Sequence, residues 1–307
     1  MAVTRKHSLY AVQIGSTLLG GITQQRVQTG TEVRGEATSG EVYNRTQSIT
    51  AQKPSANFTT LAIATALDAV GLTGVDIAGL SGYLNFYAQQ HADGGTRAGA
   101  GSHRKYTIRK GIIVPRLLQV SHQQDATIAY DVTVTYDGVN DPITITDSVS
   151  LPTGITDAER FTLGPIRIGN IALAQARSFE IDFGITVQSE GAESSIWDTF
   201  ASIVTIAPRL TLRGIDIEWF KAANIPLLGK AAIHTDTKIY LRKRASGGTY
   251  VADAVAQHIS FTADGLAYID TVQDANGQDP SEVMLVMPLR YDGTNAPLVI
   301  NTATTIT

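Results

Sequence analysis

Six histidines, His7, His91, His103, His122, His234 and His258, are the side chains best suited to ligate a metal or move a proton. No two stand at a spacing that would present paired imidazoles from one helix, and there is no HExxH. Cysteine is absent, which excludes disulfides, zinc-thiolate sites and thiol catalysis. Ser81 lies in Gly79-Leu80-Ser81-Gly82, which is not a GxSxG elbow and reads as a turn between a helix and a strand. The stretch from Gly94 to Lys105 is glycine-rich and basic, as a phosphate cradle would be. It lacks the Lys-Ser/Thr pair and runs into strand-like YTIRKGIIVP, so it reads as a hairpin tip. Asp270 to Asp279 has the acidic spacing of a calcium loop but no closing glutamate, and reads as a solvated turn. No carboxylate pair stands out as an acid/base couple. The chain reads as a non-enzyme without cofactor or metal.

The elements that would position any site are mostly strands. Thr, Val and Ile fall in alternating runs such as Tyr130-Asp131-Val132-Thr133-Val134-Thr135-Tyr136 and Phe179-Glu180-Ile181-Asp182-Phe183. Turn signals punctuate them at Asp137-Gly138, Gly94-Gly95, Gly247-Gly248 and Asn276-Gly277. The best helical segments are Leu61 to Val70 and Ile217 to Asn224, with a short turn expected at Asp157 to Phe161. With 307 residues and 43% apolar composition, the chain has room for about two cores. The net charge of −4 is too small to mark a dedicated nucleic-acid binder. No run of about 18 apolar residues and no secretory h-region is visible, so a soluble protein made in a cytoplasm is expected.

The sequence repeats itself. Tyr136-Asp137-Gly138-Val139-Asn140-Asp141-Pro142 recurs as Tyr291-Asp292-Gly293-Thr294-Asn295-Ala296-Pro297, an offset of 155. Tyr87 to Thr96 matches Tyr240 to Thr249 at an offset of 153. Residues 14–71 lie on 168–225 without a gap at 154, with eleven of 58 positions identical. Gly15 then pairs with Gly169, Gly30 with Gly184, Glu36 with Glu190, Tyr43 with Trp197 and Pro54 with Pro208. The expected fold is mainly β: two tandem sandwich-like domains, residues 1–153 and 154–307, each with one short helix. The boundary falls near Leu151-Pro152-Thr153-Gly154.

Two polar segments stand out, Thr29 to Gly40 and Gly184 to Ser195, read as long functional loops inside compact domains. Thr29, Glu32, Arg34, Glu36, Gly40, Gly184, Glu190 and Glu193 are the residues expected to carry contacts there, with Arg104 or Arg244 as conceivable basic partners of Glu36 and Glu190.

In texture and duplication the chain resembles the major tail tube proteins of long-tailed bacteriophages, in particular members with a tandem duplication. It departs from members that append an immunoglobulin-like domain, for which no residues are left. The resemblance implies homotrimeric, pseudo-sixfold rings stacked into a tube that conducts DNA during ejection without gripping it. It implies contacts with terminator, distal tail and tape measure proteins, no membrane partner, and a location in the virion tail after synthesis in the host cytoplasm. Lysine and arginine facing the lumen would bind phosphate. A carboxylate-biased lumen is therefore expected, with Arg104-Lys105 and Arg242-Lys243-Arg244 outside it or in interfaces. The alternative is a distal tail, decoration or fibre protein that binds a host-surface carbohydrate; only Trp197 and Trp219 offer indoles for that. A glycan lyase or hydrolase would need convergent acids, which the sequence does not show.

Overall fold

A computed structural model describes residues 6–307, apart from 38, 93, 96, 156–158, 170, 193–194, 216–220, 222, 227–230 and 278–280. The first half runs β1 (His7–Ile14), β2 (Thr17–Leu19), β3 (Ile22–Gln28), β4 (Thr31–Glu36), β5 (Thr46–Gln52), β6 (Ser55–Thr60), α1 (Ile63–Val70), β7 (Val75–Asp76), β8 (Leu84–Gln90), β9 (His103–Ile108), β10 (Gly111–Ser121), β11 (Thr127–Val134) and β12 (Ile143–Val149). The second half runs β13 (Phe161–Ile168), β14 (Ile171–Ala172), β15 (Ala176–Asp182), β16 (Ile185–Gly191), β17 (Asp198–Ile206), β18 (Arg209–Gly214), β19 (Ala232–Lys243), β20 (His258–Asp274), β21 (Glu282–Pro288) and β22 (Leu298–Thr304). The fold is mainly β, with large antiparallel sheets. Among the described residues no helix is long and apolar enough to cross a membrane.

One sheet orders its strands β12-β9-β8-β1-β2. A 13-stranded sheet follows the path β14-β13-β19-β20-β21-β18-β15-β10-β11-β6-β3, with β22 on β20 and β7 on β10. Two hairpins, β4–β5 and β16–β17, stand apart as two-stranded ribbons. The second half pairs its strands as the first does. β13 meets β14 and β19 as β1 meets β2 and β8. β21 meets β18, and β18 meets β15, as β11 meets β6 and β6 meets β3. The long β20 does the work of two strands. Its first part pairs β19 and β22 as β9 pairs β8 and β12, and its second part pairs β21 as β10 pairs β11.

Where the chain passes from one sheet layer to the other, each half has a glycine. A Cβ on Gly111, whose φ is +137°, would strike the Thr133 carbonyl; one on Gly265 would lie 2.6 Å from the Pro288 carbonyl. The backbones cross too closely there for any side chain.

Period-two alternation explains the core. Along β11 the side chains of Ile128, Tyr130, Val132 and Val134 turn inward. Tyr130 stacks on Phe58 of β6 at 5.0 Å, and Phe58 meets Phe86 of β8 edge-on at 6.0 Å, tying the two sheets together. α1 forms as predicted and is short. It buries Ile63, Ala66, Leu67 and Val70, one helical stripe, and ends where Gly71, at φ +74°, donates its N–H to Leu67 O. The helix predicted at Ile217 to Asn224 falls mostly outside the described residues; of the turn expected at Asp157 to Phe161, residues 157 and 158 lie outside them, Glu159 and Arg160 form no turn, and Phe161 opens β13.

Candidate self-assembly surface

The large sheet spans both halves because β10 pairs antiparallel with β15. Leu117, Leu118, Gln119, Val120 and Ser121 face Asp182, Ile181, Glu180, Phe179 and Ser178. The alternation fits both strands at once. Leu118, Val120, Phe179 and Ile181 point into the core and are buried. On the opposite face Gln119 donates to Glu180 Oε2 at 3.2 Å. The seam is thus a ladder with a dry side and a polar side.

An aromatic contact caps it. The segment entering β17 lays Trp197 against Tyr136, ring centroids 4.9 Å apart. The Trp197 indole N–H donates to Gln52 Oε1 at 2.7 Å, Gln52 N donates to Ile196 O at 2.8 Å, and Tyr136 N donates to Asp198 O at 2.8 Å. Lys110 Nζ reaches Thr199 O at 2.8 Å. Ser189 Oγ donates to the Asp198 carboxylate and so ties β16 to the start of β17.

Among the described residues the corresponding edges of β3 and of the second part of β20 are open. β3, the counterpart of β15, is the last strand on the sheet path, and among the described residues no strand pairs its outer edge. The second part of β20, the counterpart of β10, has β21 on one side; among the described residues nothing pairs its other edge beyond Ala267. Val272, counterpart of the buried Leu118, is 39% exposed. Tyr43, counterpart of Trp197, is 85% exposed, Val42 is 91% and Tyr291, counterpart of Tyr136, is 65%.

The polar segments singled out in sequence are not irregular loops. Residues 31–36 and 185–191 are strands, each paired with the strand that follows, so the segments form ribbons longer than their polar stretch. Gly30 (φ +56°) and Gly184 (φ +55°) root them; a Cβ at either would run into the facing carbonyl, of Lys53 and Ala207 respectively. Thr29, Glu32, Arg34, Glu36 and Gly40 are all exposed. Arg34 Nη2 pairs with Glu36 Oε1 at 2.8 Å, and Glu190 Oε1 accepts from Gln188 at 3.4 Å. Glu193 lies outside the described residues. Arg104 makes two bonds to Asp147, at 2.6 and 3.1 Å, and Arg244 reaches Asp125 and Gln123 O. Both arginines therefore hold their own half or the seam, and neither meets Glu36 or Glu190 in the single chain. The ribbons also carry apolar side chains that the sequence reading passed over. Val33 faces Ile49 across the first ribbon, while Phe200, Val204 and Ile206 line the second, all exposed except for partial cover.

Two repeated positions explain residues that looked chemical. His103 and His258, 155 apart, are both buried at the start of β9 and β20. Nδ1 of each accepts a backbone N–H at 3.0 Å, from Gln90 and Lys243. These imidazoles are structural acceptors, and burial, helped by Arg97 and His7, holds the His103 pKa below its ordinary value. Their shared offset was the signal that sequence reasoning missed. In the YDGxNxP turns, Asp137 Oδ1 accepts from Val139 N and Asn140 N at 2.8 and 2.6 Å, and Asn140 donates to Oδ2 at 2.9 Å. Asp292 makes the same three bonds at 2.8, 2.6 and 2.8 Å. Bonds from Asn295, then from Thr294, bring Asp292 down to about 2. Among the described residues no group of His, Asp and Glu could hold a metal.

No protein-family model matches the chain, and no curated protein matches it.

Proposed function

We propose that the chain is a structural subunit of a bacteriophage tail tube. Its two halves act as two copies of one unit, and three chains close a pseudo-sixfold ring. Rings stack into a conduit for DNA. The observation that carries this reading is the β10·β15 seam together with the open edges of β3 and β20. A chain that has joined two units edge to edge and, among its described residues, leaves the same two edges unpaired is built to continue the sheet into further copies. Transferring the seam register gives Thr271 opposite Gln28 and, across the β20 bulge between Thr271 and Asp274, Asp274 opposite Arg26, since Asp274 is registered on Glu282 as Gln119 is on Thr127. Val272 and Val27 would then replace Leu118 and Ile181, and Asp274 would face Arg26 as Gln119 faces Glu180.

On this reading the polar face of the large sheet lines the channel. It carries Arg26, Arg116, Arg209 and Arg213 as well as Asp131, Glu180 and Asp182. This departs from the carboxylate-biased lumen expected from sequence: the face is mixed. Several of its arginines sit beside acids. Arg116 is 3.5 Å from Asp131, and Arg209 is registered opposite Asp182. Neutralised arginines release fewer counterions on meeting phosphate, so a mixed face still lets a duplex slide.

Native mass spectrometry and negative-stain microscopy of concentrated protein test the proposal. Rings of three chains, stacked into tubes, are the expected result. A monomer that persists at high concentration, or a ring of six whole chains, overturns it.

A further inference from the structure

We infer that Val42 and Tyr43 form a lateral latch that docks on Tyr291 and Ile206 of a second copy of this chain. This rests on the ring reading above and names a contact that reading does not require. The argument is positional. In the covered junction the donor segment is Ile196, Trp197 and Asp198, and the receiver is Gln52 and Tyr136. Shifted by the repeat offsets, the donor becomes Val42, Tyr43 and Asn44, and the receiver becomes Ile206 and Tyr291. The receiver backbone is prepared in the same way. Gln52 is registered opposite Thr31 with Lys53 N donating to Gly30 O at 3.0 Å; Ile206 is registered opposite Ile185 with Ala207 N donating to Gly184 O at 3.1 Å. Tyr136 and Tyr291 each stand directly before an Asx turn with the same three bonds, so both rings are presented from the same rigid corner.

The chemistry of the open pair matches its altered residues. Trp197 gives its indole N–H to the Gln52 amide. In the open copy both change together: tyrosine has no indole N–H to satisfy, and isoleucine offers an apolar face where glutamine offered an acceptor. The indole donor and its amide acceptor are lost together, so neither is left unpaired by the replacement of the other. Val42, Tyr43, Ile206 and Tyr291 are 91%, 85%, 44% and 65% exposed, an apolar cluster split between the two ends of one chain. Since Val42 and Tyr43 belong to the first half and Ile206 and Tyr291 to the second, the contact joins the head of one chain to the tail of another. It is heterologous and closes only as a ring. The backbone bonds expected are Ile206 N to Val42 O and Tyr291 N to Asn44 O, copying the two at the covered junction.

The native chain has no cysteine, so a Tyr43→Cys/Tyr291→Cys double variant carries only the reporting pair. Under mild oxidation it should give covalent dimers and closed trimers, while each single variant should give no closed trimer. In parallel, Tyr43→Ala and Tyr291→Ala should each raise the protein concentration needed for ring formation by about tenfold. The double alanine variant should be little worse than either single, because both remove one contact. Rings that form at unchanged concentration in the alanine variants, with no cross-link in the cysteine pair, overturn the latch and leave the ring standing. Failure of the unsubstituted protein to form rings overturns both.

Discussion

Trp197 and Tyr43 occupy the same place on matching ribbons, each rooted by a left-handed glycine and each followed by a strand of the same register. One is covered by Tyr136 and Gln52; the other is 85% exposed. The pairing of the two ribbons does not distinguish them. The difference is that the unit before Trp197 is supplied by its own chain, whereas the unit before Tyr43 would have to come from another. On the proposed assembly the exposure of Tyr43 reports a missing neighbour, and the two stations can be set against each other by experiment.

The largest effect is expected from removing a ribbon. Replacing residues 32–50 by a short Gly-Ser turn deletes strands that pair only with each other, so the thermal melting point should shift by no more than about 4 °C, the equivalent of roughly 1 kcal/mol or less. Tube formation seen by microscopy should be lost. Undiminished tubes would remove the ribbon from stacking and confine assembly to the sheet edges. Next, the covered and open edges should differ sharply in the free chain. Ile181→Ala should cost about 2–5 kcal/mol in urea unfolding because it opens a cavity in the seam. Val272→Ala, at the open edge, should stay within about 0.5 kcal/mol. Equal costs for the two would mean that the β20 edge is covered in the free chain.

Smaller effects follow from the buried acceptors. Because the folded pKa of His103 is lowered by burial, the unfolded chain binds its proton first as pH falls. Stability should therefore be full above the ordinary histidine value of about 6.5 and decline as pH drops through the window between that value and the folded pKa. Urea midpoints compared at pH 7.5 and pH 5.5 should show the decline, and His103→Gln should lessen it. The smallest effect is at the Asx turns. Asp292, held down to about 2 by its Asn295 and Thr294 partners, adds stability that is present above about 4 and is lost as pH falls toward 2. NMR titration should place its midpoint near 2, and Asp292→Asn should abolish pH dependence from that turn alone. Asp137 should titrate low as well: partial burial acts against this, but Asn140 and Val139 outweigh it.

Much of the fold was legible. The alternation at Tyr130 to Val134 and Phe179 to Asp182 marked strands whose inward residues are buried, because a two-residue period has only one way to face a core. The YDGxNxP repeats were read as turns, and the aspartate, glycine and asparagine do serve that geometry; the glycines sit at φ +91° and +97°. The ribbons were misread as irregular loops because their polar residues alternate with weakly apolar ones, a pattern that a strand without a core shares with a loop. The buried histidines were overlooked because an acceptor for a backbone N–H leaves no motif.

By itself the sequence determined the β class, the short helix at 63–70, the offset near 154 and the turn chemistry, since each depends on residues close together in the chain or on a fixed spacing. Only the tertiary structure decided that β10 of one half meets β15 of the other, that Trp197 is covered and Tyr43 is not, and that arginines share the polar face with acids. Strand pairing between distant segments is set by which edges can bury their apolar side chains together and satisfy their backbone N–H and C=O groups. That is a property of the assembled sheet and not of any stretch of residues within it.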